Sequence, residues 1–144
     1  GMQRLAQYIY IAQKLDATAV IAQLQNPGGG MREALRGVEL ASVRFTPEGP
    51  TDGKYDGIVV QGIRLRVTER RHYDPTRTAL ALLAAVRAVH PDSLRFNERS
   101  FDRLAGGVAL REAMVAGRAP DAIWRSWQPA LARFRDLRAK YLLY

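Results

Sequence analysis

The chain has 144 residues, 47% hydrophobic and 25% charged, a balance that excludes a disordered chain and suits one domain with its own core. It contains no cysteine, which excludes disulfides, thiol catalysis, cysteine-ligated zinc and Cys-ligated iron–sulfur clusters. Its net charge is +8, and all 22 basic residues except Lys14, Lys54 and Lys140 are arginine; such a field draws phosphates or acidic polymers without naming a partner.

Residues 1–14 read as an N-terminal arm and residues 15–144 as one domain. The apolar stretch Tyr8–Ala12 is too short for a secretory signal, and no apolar run approaches the roughly 20 residues needed to span a bilayer. Asp16 is placed to cap a helix over Ala17–Gln25. Asn26-Pro27-Gly28-Gly29-Gly30 stops it. That glycine run follows a helix and precedes Met31, so it lacks the strand before and the Gly-Lys-Ser/Thr ending of a phosphate loop. Val43–Thr46 is a short strand candidate, and Pro47–Gly57 is turn-rich. The clearest strand is Ile58–Thr68. Its alternation turns Val59, Gln61, Ile63, Leu65 and Val67 inward and Val60, Gly62, Arg64, Arg66 and Thr68 outward. Gly62 marks a bulge or a close approach.

Asp74-Pro75 starts the next helix, because the carboxylate accepts from orphan N–H groups and proline loses nothing in the first turn. It runs over Pro75–Val89, with Ala79, Leu82, Leu83, Val86 and Val89 as its inward stripe. His90-Pro91 ends it. Leu94–Phe96 is a short strand, Phe101–Gly107 a helical turn and a break, and Val108–Ala116 a short helix stopped by Gly117. Pro120 opens the last helical region. Ile123, Trp124, Trp127, Leu131, Phe134, Leu137 and Tyr141 recur at three or four and predict one stripe against the core. Pro129 predicts a kink or a fresh start, and the apolar end Tyr141–Tyr144 predicts a docked terminus. The sum is a single-domain α+β fold, a small mostly antiparallel sheet packed with several helices.

The chemistry is sparse. His72 and His90 form no metal-binding spacing, and neither a metal nor a cofactor is implied. Ser42, Ser93, Ser100 and Ser126 lie outside any nucleophile elbow. Glu69, Asp74, Asp52 and Asp56 have plain roles as strand-end, cap and turn residues, so no catalytic residue is assigned. The strand Ile58–Thr68 offers no outward aromatics, and no helix-turn-helix or GxxG clamp is present, which argues against nucleic-acid reading. Trp124 and Trp127 are possible sugar platforms, but their helical spacing favours core packing. The densest cationic cluster runs through Arg64, Arg66, Thr68, Arg70, Arg71, His72, Tyr73 and Arg77, at a strand exit and a helix entry. Guanidinium groups and first-turn N–H groups there suit a carboxylate or phosphate, with Asp74 in competition. The substrate-binding candidates are Arg64, Arg66, Arg70, Arg71, Tyr73 and Arg77.

Gly62-Ile63-Arg64-Leu65-Arg66-Val67-Thr68-Glu69-Arg70-Arg71, with Tyr73-Asp74-Pro75-Thr76-Arg77-Thr78-Ala79-Leu80, resembles the C-terminal domain of the DUF1343, YbbC-like family of NamZ-type exo-β-N-acetylmuramidases. Val43–Pro47, Phe101–Gly106 with Leu110-Arg111, and the close Ser126-Trp127-Gln128-Pro129 through Lys140–Tyr144 agree in order. The match spans roughly Leu15–Tyr144. Three features depart from the family: Gln3–Tyr10 lacks its junction motif, Asn26–Gly30 widens a usually tighter connection, and Val59-Val60-Gln61 replaces an apolar-cysteine step.

The resemblance implies a partner, the Rossmann-like N-terminal domain that carries the family's catalytic glutamate, in cis or in trans. It implies that this chain is an auxiliary domain that shapes the cleft and is inactive alone. It also implies a muropeptide ligand, with the lactyl carboxylate of N-acetylmuramic acid suited to the Arg70–Arg77 segment, and a place in the cell envelope or outside. The alternatives are a stand-alone module for an acidic glycan or muropeptide, and a structural domain that binds a partner or forms a homo-oligomer.

Overall fold

The computed structural model describes residues 9–10, 15–26 and 31–142. In chain order they form β1 (Ile9–Tyr10), α1 (Ala17–Gln25), α2 (Met31–Ala34), β2 (Val38–Phe45), β3 (Val60–Val67), α3 (Pro75–Val89), β4 (Arg95–Phe96), α4 (Glu98–Ala105), α5 (Ala109–Val115) and α6 (Pro120–Ala139). The fold is α+β. Its strands form two separate antiparallel ribbons, β1 with β4 and β2 with β3, rather than one sheet. Most of the arm, the glycine run at 27–30 and residues 143–144 lie outside the described residues.

α3 is the axis of the domain. Its alanine- and leucine-rich sequence favours helix, and its alanines let neighbours approach closely. One side packs Ala81, Ala85 and Val86 against Val20 and Leu24 of α1 and Ala34 of α2. The other packs Leu80 and Leu83 against Phe101 of α4, Ala113 and Met114 of α5, and Ile123 of α6. The expected stripe was therefore too narrow. Thr78, Leu80, Ala81, Leu83, Ala85 and Val86 are buried, whereas Ala79, Leu82 and Val89 are only partly so. A helix flanked by two cores buries more than one stripe. Thr78 brings a hydroxyl into this interior, placed 2.5 Å from the Ala34 carbonyl and 2.9 Å from the Asp74 carbonyl.

Both ends of α3 are tied. Asp74 caps the start, and His90 closes the end, its N–H donating to Val86. The His90 Nε2 accepts from the Asp16 N–H at 3.0 Å, which fixes the start of α1 to the end of α3. Asp16 in turn caps α1 through Ala19.

The β2–β3 ribbon starts earlier than the strand expected at Val43, because Val38 and Leu40 already pair with Val67 and Leu65. Leu40 and Ile63 pack on the first core. The other expected inward residues do not all reach it: Val59 and Val67 are exposed and Leu65 is half-buried. Eight strand residues span about 27 Å, whereas the nine-residue α1 beneath spans about 14 Å. Gly62 carries no bulge, since its register with Val43 is continuous. Its place is filled by Phe45, whose ring would lie 3.0 Å from a Cβ there.

Asn97 caps α4 through Ser100, and Gly106 ends it in the left-handed conformation. Arg111 of α5 then grips Asp102 of α4 with two guanidinium nitrogens, Nε at 2.9 Å and Nη2 at 2.8 Å, a fork-to-carboxylate geometry that fixes the two short helices. α6 runs unbroken through Pro129, so the expected fresh start does not occur. Its stripe divides instead. Ile123, Trp124 and Trp127 pack on the second core, but Leu131, Phe134, Leu137 and Tyr141 are exposed. Tyr141 and Leu142 are also exposed, so this part of the terminus is not docked. A 20-residue helix is about 30 Å long and outreaches the cluster it rests on.

Candidate functional site

The cationic cluster begins on the outer face of the ribbon. Arg64 stands opposite Ala41 and Arg66 opposite Glu39. The Glu39 carboxylate accepts from Arg66, with Nε at 3.2 Å, and this hydrogen bond, helped by the carboxylate's charge, holds the guanidinium pKa above its ordinary value. The pair is solvent-exposed, so its contribution to stability is small. Arg64 has no such partner among the described residues and remains exposed.

The chain leaves β3 through a turn in which the Glu69 carbonyl accepts from the His72 and Tyr73 N–H groups, each at 3.1 Å. Gly37 packs against this turn, and its carbonyl accepts from Thr68 and Glu69. His72 Nδ1 lies 2.8 Å from the Glu69 carboxylate. Arg70 and Arg71 are exposed at the tip, with no ion pair among the described residues. Tyr73 is half-buried; burial, and then the charge of Asp74, push its phenol pKa up.

Arg77 has different surroundings. Its Nη2 donates to Asp121 at 2.6 Å, and its guanidinium lies 4.3 Å from the centre of the Trp124 ring. Its Nε is buried without a hydrogen-bond partner. Asp74 completes the arrangement. One carboxylate oxygen accepts from the Thr76 and Arg77 N–H groups at 3.0 Å, and the other accepts from the Trp124 indole at 2.9 Å. The first-turn N–H groups that could cradle an anion are thus taken by the protein's own carboxylate.

Arg64, Arg66, Arg70 and Arg71 consequently form an exposed cationic strand exit, with Tyr73 at its base, while Arg77 lies in the joint between α3 and α6. Trp124 and Trp127 are half-buried against the second core. His90 is engaged at the α1–α3 joint, and no group of three His, Asp or Glu that could hold a metal occurs among the described residues. A depression of about 360 Å³ lies between the end of α3 and the α5–α6 link, lined by Arg87, Met114, Arg118 and Pro120, and includes none of the six candidates. Among the described residues, no helix is long and apolar enough to cross a membrane.

The Asp74–Trp124–Arg77–Asp121 network is the element that sequence reasoning missed. Its partners are far apart in the chain, and no local pattern links a helix cap to an indole. The Asp-Pro-Thr-Arg start signals only that Asp74 is a cap.

The family model for the C-terminal part of the exo-β-N-acetylmuramidase NamZ matches residues 8–144, and the chain belongs to that family. It is 30% identical over 117 residues to the peptidoglycan β-N-acetylmuramidase NamZ of Bacillus subtilis, an alignment covering 79% of this chain and 28% of that protein. The crystal structure of a DUF1343 family protein from Bacteroides fragilis superposes with a TM-score of 0.70 at 19% identity, covering 95% of this chain and 35% of that one. The chain therefore spans about a third of the length of these relatives and is a peptidoglycan muramidase-related domain.

Proposed function

We propose that this chain is the auxiliary C-terminal domain of a peptidoglycan-directed exo-β-N-acetylmuramidase-like protein. It shapes one wall of the cleft of an N-terminal catalytic domain, in cis or in trans, and does not turn over substrate alone. The observation that carries this reading is the match of residues 8–144 to the family's C-terminal part, in a chain that spans 28% of the Bacillus subtilis muramidase. The placement of the carboxylates supports it: Asp16 and Asp74 cap helices, Asp102 and Asp121 hold arginines, and Glu39 and Glu69 pair with Arg66 and His72.

The substrate-facing side is the strand exit. Arg64, Arg70 and Arg71 meet the lactyl carboxylate of a muramyl sugar, flanked by Arg66 and Tyr73. Arg77 supports that edge from the α3–α6 joint. A guanidinium fork suits a carboxylate better than a lysine does. The test is hydrolysis of a chromogenic β-N-acetylmuramide by the chain alone, by a family catalytic domain alone, and by the two together. The expected result is no turnover by the chain and turnover by the pair. In the pair, Arg70→Ala raises KM by roughly tenfold with kcat little changed, the loss of one charge-assisted hydrogen bond. Turnover by the chain alone, or an unchanged KM, would refute the corresponding part. Silence from the mixture with muropeptide still bound would identify a stand-alone binding module.

A further inference from the structure

The first half of α6 is part of the domain and its second half is not. Ile123 is 2% exposed and sits in the second core, whereas on the same face Leu131 is 40%, Phe134 59% and Tyr141 75% exposed. From position 129 to position 142 every residue is exposed. A helix of this length with no packed face is marginal in water, and Pro129 removes one of its backbone hydrogen bonds. An apolar stripe continuing a buried one, on a segment with no packing of its own among the described residues, marks a docking surface.

The charge on this segment narrows the occupant. Arg133, Arg135, Arg138 and Lys140 stand against Asp136 alone, four positive charges to one negative. By helical geometry Arg138 falls within the Leu131–Phe134–Tyr141 stripe. Two copies of such a surface would bring like charges together, which disfavours self-association. The occupant instead presents an apolar surface with an acidic group to meet Arg138. The family setting supplies a partner, because residues 8–144 match only the C-terminal part of the family's polypeptide. In the Bacillus subtilis and Bacteroides fragilis proteins the matched part is 28% and 35% of the length, so the domain is a minor part of a longer chain.

We infer that the exposed face of α6 from Leu131 to Arg138, with Tyr141 in the turn that follows, is the seat of the N-terminal part of the family's polypeptide, joined to this chain or separate, held by Leu131, Phe134 and Tyr141 and registered by Arg138 against a carboxylate. This rests on the auxiliary-domain reading above, which names the partner but not the surface.

The experiment places a photo-crosslinking amino acid at Phe134, and in a control at Arg71, in the chain assembled with the N-terminal family polypeptide of the same genome. The inference expects cross-links from position 134 into that polypeptide. It also expects Phe134→Glu to weaken the separate-chain complex at least tenfold, or to release the tethered domain to limited proteolysis. The same substitution should shift the melting temperature of the chain alone by no more than about 2 °C, because the site is exposed. A complex that forms without cross-links from 134 and tolerates Phe134→Glu overturns the surface and leaves the auxiliary-domain reading standing. Cross-links from 134 to a second copy, or preferential capture by anionic vesicles, overturn the occupant. Failure to form any complex overturns both.

Discussion

Gly37 is the position where the backbone has least latitude. It adopts φ of +71°, and a Cβ there would lie 2.3 Å from the Glu69 carbonyl oxygen. Its own carbonyl accepts from Thr68 and Glu69, so the turn that presents Arg70 and Arg71 is built on it. Both the left-handed conformation and the clash oppose any side chain. Gly37→Ala is expected to cost at least about 2 kcal/mol of folding stability. Urea unfolding measures this, and a loss below about 0.5 kcal/mol would mean that the turn relaxes freely. Asp74 is the other singular residue. It accepts from two backbone N–H groups and an indole at once, and so cannot leave its cap without leaving Trp124 unpaired.

At the scale of elements, the start of α6 is fastened to the start of α3 through Asp121. Its carboxyl is held below the ordinary carboxylate range, first by the hydrogen bond from Arg125 and then by that from Arg77, with the charges of both adding, and these outweigh the burial that opposes ionisation. A carboxyl with a lowered folded-state pKa stabilises the fold fully above its unfolded value of about 3.9. That contribution is lost as pH falls through the lower folded value. Asp121→Asn should therefore be less stable than the wild type at pH 6, with the gap narrowing below about pH 4. Thermal unfolding of both proteins across that range is the check, and a constant gap would show that the joint is not ionic. The other ties of α6, the packing of Ile123, Trp124 and Trp127 on the second core and the Trp124–Asp74 hydrogen bond, also lie in its first half, which is why its two halves differ so sharply in exposure.

At the scale of the molecule, α3 is shared by two cores. Phe101 is fully buried in the second and packs against Phe96 with ring centres 4.7 Å apart and planes tilted by 59°. Phe101→Ala leaves a large cavity and is expected to cost about 3–5 kcal/mol. Because Leu80 and Leu83 continue into the residues that face α1, the loss should propagate to the first core. Tryptophan fluorescence, which reports Trp124 and Trp127 in the second core, and far-ultraviolet circular dichroism, which reports all helices, should shift to the same new midpoint. Separate midpoints would divide the domain into two folding units.

The sequence by itself determined the elements and their signals. The Asp16 and Asp74 caps, the bounds of Ala17–Gln25 and Pro75–Val89, and the outward placement of Arg64 and Arg66 all follow from side chains acting on their own backbone or on a two-residue alternation. The family resemblance was equally readable, because its motifs are contiguous. Tertiary structure alone decided which apolar residues are inside. Periodicity marks a face but not what covers it, so Leu80 and Ala81 on opposite sides of α3 are both buried while Phe134, on the right face of α6, is exposed. It alone also separated the arginines, drawing Arg77 into a joint with Trp124 and Asp121 and leaving Arg70 and Arg71 free of ion pairs among the described residues. That choice depends on contacts between residues more than forty positions apart, which no local pattern encodes.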